Sequence, residues 1–436
     1  MSSKRLASNN NQVPEGYKKT EVGVIPEDWN IQTVSDIAIV RGGKRLPKGI
    51  SLNDIPNPYP YIRVADMYEG GINTNDIKYV PEHIAPLIKS YRIYSTDLFI
   101  SVAGTLGIIG EVPETMNGAN LTENADRITA ISCNKKFLLY ALISERIKNE
   151  IDSQRTIGAQ PKLALRRIED FKLAFPNSDE EQKAIAQTLS DVDALIAALD
   201  KLIAKKRNIK TATMQQLLTG KTRLPGFGEG KGYKKTEVGV IPEDWKICIL
   251  SELSQIVTGQ TPPTHNRSYY GDEYLFVSPA DIGSQKYITN TFAKLSKLGF
   301  SISRKYPSKT ILFTCIGSTI GKCAIVVTES TSNQQINAIL PSNLVNHQYL
   351  YYQLINNAKK IKNRAATQAV PIINKTEFGS TFIVVCSDEE QKAIAQVLCD
   401  IDTEITALEK RRAKTQAIKQ GMMQELLTGK TRLINN

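Results

Sequence analysis

Beginning at Ile185, apolar residues recur at Leu189, Val192, Ile196, Leu199 and Ile203, spaced alternately by four and three. That is a heptad seam, the pattern of a helix that buries one narrow stripe against a partner helix. Ser178 with Glu181 three residues on predicts the helix start as a capping box, and Asp179, Glu180 and Glu181 suit the positive end of its dipole. Gly220 predicts its stop, after a basic stretch at Lys205, Lys206, Arg207 and Lys210. The same pattern returns from Ser387, with Ile394, Leu398, Ile401, Ile405 and Leu408 on the seam and Gly429 at the end. Each helix, near 179–219 and 388–428, spans about 40 residues, roughly 60 Å. A long helix with one seam needs a partner, and the partner within reach is its own copy. The expectation is an antiparallel intramolecular coiled coil.

Elsewhere the pattern is short and strand-like. Tyr61–Val64, Leu98–Val102, Tyr274–Val277 and Ile311–Thr314 are brief apolar runs bounded by Gly, Pro and Asn. The predicted class is therefore α+β: two mixed, strand-rich globular heads joined by two long helices, with a pseudo-twofold relation between the halves and a head at each end of the coiled coil.

That relation is written in the chain. GYKKTEVGVIPEDW occupies Gly16–Trp29 and recurs unchanged at Gly232–Trp245, 216 positions later. SDEEQKAIAQ at Ser178–Gln187 recurs at Ser387–Gln396, and LLTGKTRL at Leu217–Leu224 recurs at Leu426–Leu433, both with a period of 209. Between these frames the halves diverge, although Ala65-Asp66 still corresponds to Ala280-Asp281 and Gly104-Thr105 to Gly317-Ser318. Identical frames around different inserts imply one architecture with two different reading heads. The expected division is a disordered lead-in over 1–15, a head over 16–175, a helical region over 176–231, a second head over 232–384 and a second helical region over 385–436.

Composition narrows the function. With 436 residues the chain can bury several cores, and its 41% hydrophobic and 23% charged residues are ordinary for a soluble protein. No apolar run is long enough to span a membrane, and MSSKRLASNNNQ lacks the apolar stretch of a signal peptide. Six scattered cysteines without a CxxC pair and three isolated histidines argue against disulfides and metal, and for a reducing cytoplasm. The net charge of +11 favours a polyanionic partner.

Catalytic apparatus is missing from the pattern. Asn57-Pro58-Tyr59-Pro60 resembles an adenine methyltransferase motif only superficially, and no glycine-rich cofactor loop precedes it. Gly317–Cys323 misses the phosphate-loop spacing and has Cys323 in place of the Ser or Thr that would hold magnesium. The expectation is a reader, with no catalytic residues and no metal. In the first head the candidate DNA contacts are Arg41, Lys44, Arg45 and Lys48 on a glycine-rich basic loop, Arg63 placed for a bidentate guanine contact, and Thr105, Asn124 and Arg127. In the second they are Gln260, Thr261, His265 and Arg267, then Ser318, Gln334, Gln335 and Asn337, an amide-rich set suited to adenine.

Two divergent inserts framed by VIPEDW, by SDEEQKAIAQ opening a long helix and by LLTGKTRL resemble the specificity subunit of a Type I restriction-modification system, from about Gly16 to Leu433. The resemblance implies two target recognition domains, each reading one half of a split double-stranded DNA target, with helices that set the gap. It implies recruitment of two methyltransferase subunits, which carry S-adenosylmethionine, and of restriction/translocase subunits in the full complex, with no cofactor on this chain. The alternative is a stand-alone two-headed DNA-binding regulator, which would need no methyltransferase partner.

Overall fold

The structure is a computed structural model and describes residues 13–154, 162–365 and 370–434. All but the end of the expected 1–15 lead-in lies outside the described residues. The chain divides into two compact units, 1–199 with 411–436, and 200–410. The cut runs through both long helices, Asp179–Leu217 and Asp388–Leu426, so each helix contributes one end to each unit.

In the first unit, Leu98–Ser101 lies in an antiparallel sheet between Ile109–Glu111 and Ala125–Thr129, with Ile39–Gly42 outermost. A smaller mixed sheet runs Lys78–Tyr79, Pro60–Ile62, Ala119–Leu121, Arg92–Ile93, with the middle pair parallel. The frame segment Trp29–Thr33 pairs with Lys172–Pro176 just before the long helix. The core gathers Trp29, Phe137, Tyr140 and Phe175 with Ile185 and Leu189 of the first long helix and Met423, Leu426 and Leu427 from the end of the second. Two short helices, Lys135–Leu142 and Glu145–Ser153, pack beneath the larger sheet; Asn134 caps the first by accepting from Phe137 N at 2.9 Å.

The second unit repeats the plan with Ile256–Thr258, Ile336–Ile339, Ile311–Thr314, Cys323–Val326 and Tyr287–Ile288 in one sheet. Tyr270–Gly271, Ala293–Leu295, Tyr274–Val277 and Thr331–Ser332 form the other. One helix, His347–Asn363, replaces the two short ones and is capped by Asn346. Its core joins Trp245, Tyr349, Tyr352 and Phe378 with Ile394 and Leu398 of the second long helix and Met214, Leu217 and Leu218 from the end of the first.

Within each unit the helix segments pair antiparallel. In the second, Lys206 meets Glu404 at 2.7 Å and Lys210 meets Asp402 at 2.6 Å. In the first, Lys419 meets Asp193 at 2.6 Å. A tyrosine of each head closes on the same carboxylate, Tyr140 on Asp193 at 2.8 Å and Tyr352 on Asp402 at 2.6 Å. The seam differs in detail from expectation. Leu199, Ile203 and Ile405 are buried outside the head cores, but Ile185, Leu189, Ile394 and Leu398 belong to those cores, and Val192, Ile196, Ile401 and Leu408 are half-exposed. Leu195, Leu202 and Ile209, seven apart on the first helix, face outward with about 40% of their surface exposed.

The repeated frames meet at a joint where each long helix begins. In the first unit Trp29 Nε1 donates to Glu181 Oε2 at 3.1 Å, and Arg432 binds Glu181 and, with both terminal nitrogens, Asp28 at 2.9 and 2.7 Å. Tyr17 donates to the Gly429 carbonyl at 3.0 Å. The second unit repeats this with Trp245, Glu390, Arg223 and Asp244, and with Tyr233 donating to the Gly220 carbonyl. Gly220 and Gly429 adopt φ of +68° and +69°, and a Cβ there would lie within 2.4 and 2.5 Å of Pro242 and Pro26. Only glycine satisfies both the turn and the contact. The capping box is thus half-built: Ser178 and Ser387 accept from Glu181 N and Glu390 N at 3.4 and 3.3 Å, but the two carboxylates turn to the Trp and Arg instead.

Candidate nucleic-acid interface

In the smaller sheet of each head, two parallel strands end side by side, and the chain after each is fastened to its neighbour. In the first head Thr122 N donates to the Ile62 carbonyl at 3.1 Å and Lys44 N to the Leu121 carbonyl at 2.8 Å. In the second, Asn333 N donates to the Val277 carbonyl at 3.0 Å and Gln260 N to the Ser332 carbonyl at 2.8 Å. The basic loop and the amide-rich loop therefore occupy equivalent backbone positions. Gly43 and Gly259 permit this, since a Cβ on either would lie 2.0 Å from the carbonyl oxygen of Thr122 or Asn333. The row extends one loop further. Val102 N donates to the Asn124 carbonyl at 2.7 Å and Cys315 N to the Gln335 carbonyl at 2.9 Å, holding the exposed loops that carry Thr105 and Ser318 beside Asn124 and Gln335.

Lys44, Arg45, Asn124 and Thr105 are thus brought together on one edge of the first head, and Gln260, Thr261, Gln334, Gln335 and Ser318 on the matching edge of the second. Lys48 lies exposed farther along the same loop as Lys44, and His265 and Arg267 farther along that of Gln260; Arg41 is exposed on the strand that leads into the edge. Arg45 is anchored to Glu123 at 2.6 Å while most of its surface stays exposed. Burial pushes the Glu123 carboxyl up, but hydrogen bonds from Arg45 and Thr122 outweigh it and hold the group below its ordinary value. Thr261 donates to Gln334 Oε1 at 2.5 Å, tying the two amide-bearing loops together.

Three expected contacts are engaged within the protein. The guanidinium of Arg63 is bound by Asp66 through Nε at 2.9 Å and Nη2 at 2.6 Å, and also donates to the Asp76 carbonyl at 2.7 Å. It clamps the loop that leaves the strand, so the bidentate guanine contact is not available in this arrangement. Asn337 is 3% exposed, accepting from Thr258 at 2.8 Å and donating to Cys315 Sγ at 3.2 Å, so it ties strands inside the larger sheet. Arg127 reaches back to the Ser90 carbonyl at 2.9 Å. Asn337 is turned inward by its strand register, whereas half-buried Arg63 and Arg127 are held by bonds within the head, a distinction that residue type alone does not reveal.

Among the described residues no cluster of His, Cys, Asp or Glu could hold a metal ion, and no helix is long and apolar enough to cross a membrane. The edges offer hydrogen-bond donors and acceptors and, in the first head, positive charge. This is the chemistry of contacting phosphates and base edges.

Each edge falls within one copy of a duplicated family domain. The Type I restriction modification DNA specificity domain matches the chain twice, over residues 26–207 and 242–420. The chain belongs to that family of DNA specificity proteins, the non-catalytic recognition components of Type I restriction-modification systems, with two copies of the domain in one polypeptide. It is 28% identical to the putative type I restriction enzyme MjaX specificity subunit of Methanocaldococcus jannaschii, covering 96% of this chain and 97% of the relative. It is 26% identical to the MjaVIII specificity subunit of the same organism, covering 97% of each. Its fold resembles the crystal structure of the Type I restriction-modification system S subunit from M. genitalium, with a TM-score of 0.56 at 15% identity over 96% of this chain and 97% of that one.

Proposed function

We propose that the two edges read different halves of one split DNA target. The observation that carries this reading is an identical backbone edge presented twice with different side chains, Lys44, Arg45 and Asn124 in one head and Gln260, Gln334 and Gln335 in the other. A shared edge preserves the approach to the duplex, and its side chains choose the bases. The long helices set the unspecified gap between the half-sites and recruit two methyltransferase subunits, with restriction/translocase subunits completing the complex. The outward apolar stripe at Leu195, Leu202 and Ile209 supports a helical partner there, because heptad-spaced apolar residues otherwise belong in a seam. S-adenosylmethionine is bound by those partners, and the assembly works in the cytoplasm.

Exchanging residues 246–384 for the second head of another family member tests the reading. Mapping methylated sites in cells carrying the exchanged chain should show one half-site altered and the other kept. A change in both halves, or in neither, refutes it.

A further inference from the structure

Phe292 is 88% exposed, more than any other large apolar side chain among the described residues. Its backbone is firmly held: Phe292 N donates to Asp281 Oδ1 at 2.7 Å, and the buried Thr291 hydroxyl donates to the Ala293 carbonyl at 2.6 Å. Ala293 pairs with Phe276 in the antiparallel ladder, which places Phe292 opposite Val277 one step on. Val277 pairs in turn with Ser332, whose carbonyl receives Gln260 N. Phe292, Ser278, Asn333 and Gln260 therefore stand in a row across the strand ends, about 15 Å from first to last at the usual strand spacing. Asp281 also accepts from Ser278 N at 2.8 Å and from its hydroxyl at 2.6 Å, fastening the phenylalanine loop to the same edge.

The first head closes this position. There the Lys78–Tyr61 pair places Ile77 where the second head has Phe292; Ile77 is buried, and Arg63 binds the adjacent Asp76 carbonyl. The second head has Ser278 in place of Arg63 and turns a bare phenyl outward beside amides. An exposed apolar ring on a firmly held backbone at the end of a polar edge matches a base stack whose outer faces are apolar and whose edges are polar.

We propose that Phe292 is a specificity-determining residue of the second head, its ring stacking on or wedging into a base step at the end of that head's half-site. The inference rests on the reading of the edge as the DNA contact. The test uses the full chain assembled with its methyltransferase subunits and a duplex carrying the target mapped by methylation, with 2-aminopurine placed through the second half-site. The parent complex should raise 2-aminopurine fluorescence at one step. Phe292→Ala should abolish that rise and weaken binding about tenfold to a hundredfold, while binding to a duplex with a scrambled second half-site stays as in the parent. Phe292→Trp should restore both. Since the ring is exposed, the alanine variant should melt like the parent, which separates loss of contact from loss of fold. Unchanged affinity and an unchanged fluorescence signal in Phe292→Ala overturn the proposal, and so does loss of the methyltransferase subunits from the variant complex, because the ring would then cover protein. A parent complex that does not distinguish the target from the scrambled duplex overturns the edge reading itself, and Phe292 with it.

Discussion

Replacing Arg432 with methionine tests the joint between head and helix. The aliphatic stem is kept over the Trp29 ring, where the guanidinium now lies 5.9 Å from the ring centroid, and only the charge is lost. Glu181 is 2% exposed, and in the variant it retains the Trp29 donor but no cation. Breaking a buried ion pair from one side costs about 3–5 kcal/mol. The lower end applies, because the Arg432 side chain is 24% exposed and Glu181 keeps one hydrogen bond. The half-exposed Asp28 contact adds less than about 1 kcal/mol. For a unit of roughly 200 residues, about 3 kcal/mol corresponds to a fall of roughly 6–12 °C in its melting midpoint. Scanning calorimetry of Arg432→Met should show the first unit's transition lowered and the second's in place, with Arg223→Met giving the converse. Adding Glu181→Gln should recover much of the loss, since glutamine can still accept from Trp29 and no longer needs a cation. A single variant within about 1 °C of the parent, or a double variant whose losses simply add, would refute the reasoning.

Four further outcomes follow from the heads. Burial pushes the Asp126 carboxyl up to about 6 from its ordinary 3.8, with partial relief from Lys162; a carboxyl raised in the folded state stabilises below its unfolded value and loses that contribution as pH rises through about 6. Asp126→Asn, which installs the residue the second head carries at this strand position as Asn337, should flatten the first unit's stability between pH 4 and 6 and raise it at pH 7 by on the order of 2–3 kcal/mol, measured by denaturant titration across pH. Lys44→Ala should weaken DNA binding by the assembled complex and reduce the slope of log affinity against log salt by about 1 without changing the target, whereas Gln334→Ala should relax one position of one half-site by about 1–3 kcal/mol, both read by anisotropy. Arg63→Ala should lower the first unit's melting temperature, because Asp66 is left buried without its cation, and should leave the methylated sequence unchanged; a relaxed base in the methylation map would show that Arg63 reads DNA after all.

Much of the architecture is written in local signals. Ser178 and Gly220, Ser387 and Gly429 bracket the two long helices to within a few residues, because caps and left-handed glycines are determined by near neighbours. One seam per helix implies a partner helix, and the direction of pairing shows in the ion pairs of Lys206 with Glu404 and Lys419 with Asp193. The joint is not legible in that way: Trp29, Glu181 and Arg432 are far apart in the chain, and Glu181 reads locally as a capping-box residue. The short helices from Lys135 and the helix from His347 were hidden inside inserts read as strand-rich, although Asn134 and Asn346 supply their caps. At the edge, Lys44, Gln260 and Gln334, chosen from loop composition as DNA contacts, are exposed. Arg63 and Asn337 are polar too, but Arg63 is held by Asp66 and strand register buries Asn337. Phe292 gave no signal, since an isolated phenylalanine between Thr291 and Ala293 reads as core.

The joints have a consequence for how the polypeptide is ordered. Each takes its first two repeated blocks from one half of the sequence and its third from the other, so Tyr17 meets Gly429 while Tyr233 meets Gly220. The connectivity is that of a ring cut once: opening the link between Leu224 and Gly232 and splicing 434 to 13 would give a permuted polypeptide with the same two joints. One half alone carries all three blocks but has no second half to complete its joint. Two identical halves would complete each other's and present the same head twice, and such a pair would ask for an inverted repeat where the intact chain asks for two different words. Divergence of the heads, with the joints held identical, is what frees this molecule from palindromes.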